Sequence, residues 1–264
     1  MPSLRISRVI RTKLMTYLSL FSGAGGFEWF AKLLGWRCVG YVESDEYCRN
    51  VLIARIRDCI FDDAPIFPDV RTFCGLPYRG RVDCITAGPP CQPDSHAGHQ
   101  RGDADERDGW PDTLRIIAEV RPRRVFLETV TGFFRGKRIW DATAFLASIG
   151  YDCRWMPLSA FECGAEHERI RGWIMADSMR KRFLYLPTQS AQHTTNGDQG
   201  FRPNEETRNT AWRSDYVSLQ CLAYTGDIRE VDGLAGWCNR LSAAGNGIVP
   251  AVAREAWLRL TNAR

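Results

Sequence analysis

The sequence predicts an α/β protein built on a mostly parallel sheet, with a second, smaller lobe set into the chain near its end. Three observations carry that expectation. Short apolar runs alternate with stretches of helical spacing, a glycine cluster stands between the first run and the first such stretch, and acids or prolines fall where later runs end. Strands alternating with helices pack as a parallel sheet, and ligands then bind at the carboxyl ends of its strands.

Residues 16–21, TYLSLF, read as a strand ending at Ser22-Gly23-Ala24-Gly25-Gly26, after which FEWFAKLLGW carries helical spacing. Arg37 to Val42 is a second strand that ends at Glu43, roughly 20 residues beyond the glycine turn. Val82 to Ala87 is a strand ahead of Gly88-Pro89-Pro90. Residues 112–119 are helical, Arg124 to Leu127 is a strand running into Glu128, 139–149 is a helix closed by Gly150, and Arg171 to Ala176 is a further strand. From about 178 to 239 the alternation fades into polar sequence such as QSAQHTTNGDQGFRPNEETRNT. The chain closes with a glycine turn and the helical pattern of Val252, Ala256 and Leu260. The expected organisation is one domain from 1–177 together with 240–264, and a small separate region at 178–239.

With 264 residues and 44% hydrophobic composition the chain can bury a full core. No stretch approaches the ~18 apolar residues of a membrane helix, and MPSLRISRVIRTK lacks the apolar region and cleavage site of a secretory signal, so a cytoplasmic protein is expected. The ten cysteines include no C-x-x-C pair, which argues against a zinc site or a disulfide framework; no metal is expected. A net charge of +4 permits a polyanionic partner without demanding one. Arginine clusters at 121–124, 135–138 and 180–182 suit phosphate, although solvated faces account for such clusters equally well.

Four groups could carry chemistry. Phe21-Ser22-Gly23-Ala24-Gly25-Gly26-Phe27-Glu28 places glycines where backbone must approach a ligand, and Glu43 stands where it could bind ribose hydroxyls, as a nucleoside-bearing cofactor requires. Gly88-Pro89-Pro90-Cys91-Gln92-Pro93 stiffens the loop before a cysteine at a strand end, which suits a positioned nucleophile. One buried thiol among ten fits simple packing as well. Glu128 at its strand end could be a general acid or hydrogen-bond partner for a group near Cys91, or a salt-bridge partner. His167-Glu168-Arg169-Ile170-Arg171 presents two arginines on one face of an extended segment.

Taken together and in order, these elements resemble the cytosine-5 DNA methyltransferase family. The matching blocks are LFSGAGGFE (20–28), YVESD (41–45), PDV (68–70), GPPCQPDS (88–95), LETV (127–130), HERIR (167–171) and GNGIVP (245–250). The resemblance implies a Rossmann-like methyltransferase domain with a short target-recognition region, S-adenosylmethionine as methyl donor, and double-stranded DNA as the partner of a monomeric enzyme. It implies that the Cys91 thiolate adds to carbon 6 of an extruded cytosine while Glu128 holds N3 and the exocyclic amine. It places Phe21, Gly23, Gly25, Glu43, Asp69 and Asn246 at the cofactor, with Glu43 on ribose and Asp69 on the adenine amine. Arg171 would contact cytosine O2, Arg169 would serve the phosphate backbone or brace the loop, and Gln92, Ser95 and His167 would border the substrate. Three positions depart from the family pattern: Asp94 stands where Phe is usual, Thr129 where Asn is, and His167 where Gln is frequent. Two alternatives remain: one branch of the family methylates tRNA with the same Pro-Pro-Cys chemistry, and a catalytically weak relative would bind DNA as a regulator.

Overall fold

The computed structural model describes residues 14–91, 108–179 and 247–263. Gln92, Asp94, Ser95, Asn246 and nearly all of the 178–239 region lie outside the described residues. The strands are β1 (Thr16–Leu20), β2 (Arg37–Val42), β3 (Ile66–Phe67), β4 (Cys84–Ala87), β5 (Arg124–Thr129), β6 (Tyr151–Ser159) and β7 (Ile170–Ser178). The helices are α1 (Gly26–Leu33), α2 (Glu46–Arg57), α3 (Trp110–Val120), α4 (Lys137–Ser148) and, after the 180–246 interval, the helix at Pro250–Asn262, here called α5. The strands form one seven-stranded sheet in the order β3-β2-β1-β4-β5-β7-β6.

Pairing is parallel from β3 through β5, because each of those strands returns through a crossover. The pairs β5·β7 and β6·β7 are antiparallel. Between β6 and β7 there is only a short link with a 3-10 turn at Phe161–Cys163, too short for a crossover, so the chain reverses and β7 enters between β5 and β6.

The central strands are buried on both faces and are mostly apolar, with polar residues such as Ser19, Thr86 and Arg124 also buried among them. In β5, Phe126 faces a cluster with Phe27, Phe30, Trp173 and Trp257, while Val125 and Leu127 face Ile116, Ile117, Phe133 and Ile139. α1 and α5 cover the first face, and α3 and α4 the second. α5 thereby docks the end of the chain against its beginning: Trp257 meets Trp36 at 4.6 Å between ring centroids and Phe126 at 5.3 Å.

Among the described residues, the sequence reading matches five of the seven strands and four of the five helices. β3, a pairing of only two residues, and β6 carry no clear alternation. α2 buries only Cys48 and Leu52, so its apolar stripe is narrow; its local signal is Asp45, whose side chain caps the Cys48 amide at 2.8 Å.

Candidate active site

β1 ends at Leu20, and the chain turns at once through Phe21, which adopts a left-handed conformation (φ 52°). A bulky residue held there is strained, and such strain concentrates at functional sites. Gly25 caps α1 with φ 99°, and an added Cβ would lie 2.5 Å from the Phe61 ring, so both conformation and space demand glycine. At Gly23 (φ 57°) an added Cβ would meet nothing within 4 Å, leaving bare backbone facing open space.

Glu43, just past β2, closes this turn from the side. One carboxylate oxygen accepts from the Gly23 amide at 2.6 Å and the other from the Asp45 amide at 2.8 Å. A carboxylate has about four acceptor positions, so two remain for a ligand's hydroxyl groups. Asp69 follows β3 and lines a cavity of about 670 Å³ with Phe67, Pro68 and Val39. Arg71 chelates its carboxylate, the nearest contact being 2.8 Å, and holds its pKa below the ordinary value.

The chemistry-bearing side chains come from three neighbouring strands. Ala87 pairs with Leu127, so the loop that starts at Gly88 leaves β4 beside Glu128, and an added Cβ on Gly88 would lie 3.6 Å from a Glu128 oxygen. On the other side of β5, Glu128 pairs with Trp173 and Thr129 with Gly172, which brings Arg171 to the same end of the sheet. Arg171 Nε lies 3.0 Å from Glu128 Oε1. Cys91 is buried at the end of the Pro-Pro turn. Burial pushes the Glu128 carboxyl above its ordinary pKa, while Arg171 and then Arg169 pull in the opposite direction.

Arg169 Nη2 donates to the Gly247 carbonyl at 2.8 Å, joining the HERIR segment to the residues that precede α5. The next residue, Ile248, touches both loops: added Cβ atoms would lie 2.7 Å from its carbonyl oxygen at Gly26 and 3.3 Å from its Cδ1 at Gly88. His167 is exposed. The buried Thr129 hydroxyl has no hydrogen-bond partner among the described residues. Sequence reasoning missed Ile248 as a site residue, although it lies within the GNGIVP block (245–250). Among the described residues no cluster of His, Cys, Asp and Glu could hold a metal, and no helix is long and apolar enough to cross a membrane.

A seven-stranded sheet with an antiparallel β7, a glycine turn after β1 and a stiffened cysteine loop after β4 defines a Rossmann-like methyltransferase class. The chain belongs to the C-5 cytosine-specific DNA methylase family, whose model matches residues 15–232. It is 31% identical over 160 residues to the Type II methyltransferase M.CviJI of Paramecium bursaria Chlorella virus IL3A, covering 60% of this chain and 42% of that protein. It is 34% identical over 166 residues to the Type II methyltransferase M.NgoMIV of Neisseria gonorrhoeae, covering 61% of this chain and 51% of that protein. The chain thus spans about half the length of these curated relatives. The Entamoeba histolytica methyltransferase EhMeth shares the fold at a TM-score of 0.64 and 12% identity, over 96% of this chain and 99% of that one.

Proposed function

We propose that the chain is a DNA (cytosine-5-)-methyltransferase that uses S-adenosylmethionine and a covalent Cys91 intermediate on an extruded cytosine. The observation that carries this reading is the meeting of the Cys91 loop, the Glu128–Arg171 ion pair and the glycine turn at the carboxyl ends of β1, β4 and β5. The donor, when bound, supplies an electrophilic methyl group. The open backbone at Gly23, the remaining acceptor positions of Glu43 and the cavity bordered by Asp69 fit its amino-acid, ribose and adenine parts. Phe21, Gly25 and Asn246 complete the proposed cofactor contacts.

In the reaction, the Cys91 sulfur forms a bond to carbon 6 as the ring's π electrons shift toward carbon 5 and N3. Glu128, with its raised pKa, keeps a proton available to N3 and accepts from the exocyclic amine. Arg171 stabilises the carboxylate when that proton leaves and offers a donor to cytosine O2. Carbon 5 takes the methyl group as the methyl–sulfur bond of the donor breaks, then loses its proton to water; the carbon 6–sulfur bond breaks to regenerate the thiolate, and N3 returns its proton to Glu128. Arg169 braces the loop, Gln92, Ser95 and His167 border the substrate, and 1–177 with 240–264 form the catalytic unit around a recognition region at 178–239. The test is transfer of tritiated methyl to duplex DNA and, in parallel, to tRNA, with analysis of the product base. Label in 5-methylcytosine of DNA is the expected result; label in tRNA alone moves the substrate to RNA, and no transfer to either points to a silent relative.

A further inference from the structure

α3 is entered through Asp108 and Gly109, and that entry is held by an ion pair and a ring stack. Arg138 Nη2 donates to both carboxylate oxygens of Asp108 at 2.7 Å, in a pair whose side chains are only 16% and 11% exposed. The Arg138 guanidinium lies over the Phe133 ring at 5.6 Å, and Phe133 in turn stacks on Trp110 at 4.1 Å with 16° between planes. α4 and the turn before it thus grip the first residues of α3. Gly109 lies between those gripped residues. Its amide donates to the Pro90 carbonyl at 3.2 Å, directly before the nucleophile. An added Cβ on Gly109 would lie 2.6 Å from Phe21 Cζ and 2.8 Å from Pro90 Cδ, although its φ of −82° is open to any residue. Glycine is required here by contact, not by conformation.

We propose that Asp108 and Arg138 are positioning residues that hold Gly109 as the common seat of Phe21 and Pro90, coupling the donor turn to the nucleophile loop. The proposal rests on the function proposed above. Gly109 is the only backbone thickness that lets both neighbours approach, and the ion pair keeps that backbone in place. Displacing it moves the Pro90 carbonyl, and Cys91 with it, while pressing the Phe21 ring toward the donor.

The two arms of this coupling are measured separately: donor affinity by calorimetry, and the nucleophile by the rate of covalent adduct formation with duplex DNA carrying 5-fluorocytosine at saturating donor. Gly109→Ala should weaken donor binding and slow adduct formation, each by tenfold or more. In Gly109→Ala combined with Phe21→Leu, donor affinity should be no worse than in Phe21→Leu alone, while adduct formation stays slow because Pro90 is still pushed. Arg138→Ala should slow the adduct at least tenfold, with partial recovery in Arg138→Lys, which keeps a charge for Asp108. Additive losses of donor affinity in the double variant, or an Arg138→Ala protein that changes only in melting temperature, would overturn the proposal. A wild-type chain that binds donor but forms no adduct overturns the functional reading alone, and the calorimetric cycle still decides the coupling.

Discussion

Glu128 is held between two opposed influences. Burial favours its neutral form, and the Arg171 guanidinium 3.0 Å away favours its charge; burial prevails, and the carboxyl's pKa lies above its ordinary value. Glu128→Gln keeps the shape and removes the titratable proton. The methylation rate should fall by about 10²-fold or more, while donor affinity, measured by calorimetry, stays close to wild type. Equal losses in both would make Glu128 structural. A second buried carboxyl, Glu28 on α1, behaves differently. It is 2% exposed, and neither oxygen has a partner in good geometry among the described residues. Burial pushes it up to about 7, eased by the nearby Ser19 hydroxyl. Below pH 4.5 the folded and unfolded chains both hold the proton; between 4.5 and about 7 the unfolded chain loses it while the folded chain does not. Stability therefore falls by about 3 kcal/mol across that window and is level above it. Glu28→Gln should stabilise the protein by a similar amount at pH 8 and little at pH 4.5, as urea unfolding at several pH values would show. Parallel pH profiles for the two proteins would mean that Glu28 is ionised in the fold.

At the scale of elements, what was legible in the sequence was what local rules control. The strand, glycine turn and helix of β1 and α1 follow from TYLSLF, the cluster at 22–26 and the helical spacing after it. The acid at the end of β5 and the Pro-Pro turn after β4 were also placed by their neighbours in sequence. The reversal of β7 was not legible, because strand direction depends on the length of a connection and on which strand has a free edge. Gly109, set by atoms from three elements, was invisible for the same reason. The docking of α5 is a tertiary event as well, and it fixes Ile248 between the two loops of the site. Trp257 anchors that docking through Trp36, Phe30, Phe126 and the Arg124 guanidinium 5.2 Å from its ring. Trp257→Ala should cost about 3–5 kcal/mol of stability in chemical denaturation. A loss under 1 kcal/mol would show that α5 is dispensable to the core.

For the whole molecule, strand order brings the glycine turn after β1, the Gly88 loop after β4 and Glu128 on β5 to one end of the sheet, each of which stands at a strand end in the sequence reading as well. In the function proposed above, the bases are read by the 178–239 region, whose composition carries no code, since recognition depends on where side chains meet the groove. Substituting Arg202, Arg208 and Arg213 singly should weaken DNA binding or relax site preference without changing donor affinity. Unchanged binding and preference in all three would place recognition elsewhere. The central claim is that Cys91 attacks carbon 6 of a cytosine taken out of the duplex, and one measurement addresses it directly. Duplex DNA bearing 5-fluorocytosine is incubated with enzyme and donor, and the trapped product is digested and mapped by mass spectrometry. The account predicts a stable adduct on the Cys91 peptide, because fluorine cannot leave as the carbon 5 proton does, and no adduct with Cys91→Ser. An adduct on a different cysteine, or one that persists in Cys91→Ser, would contradict it.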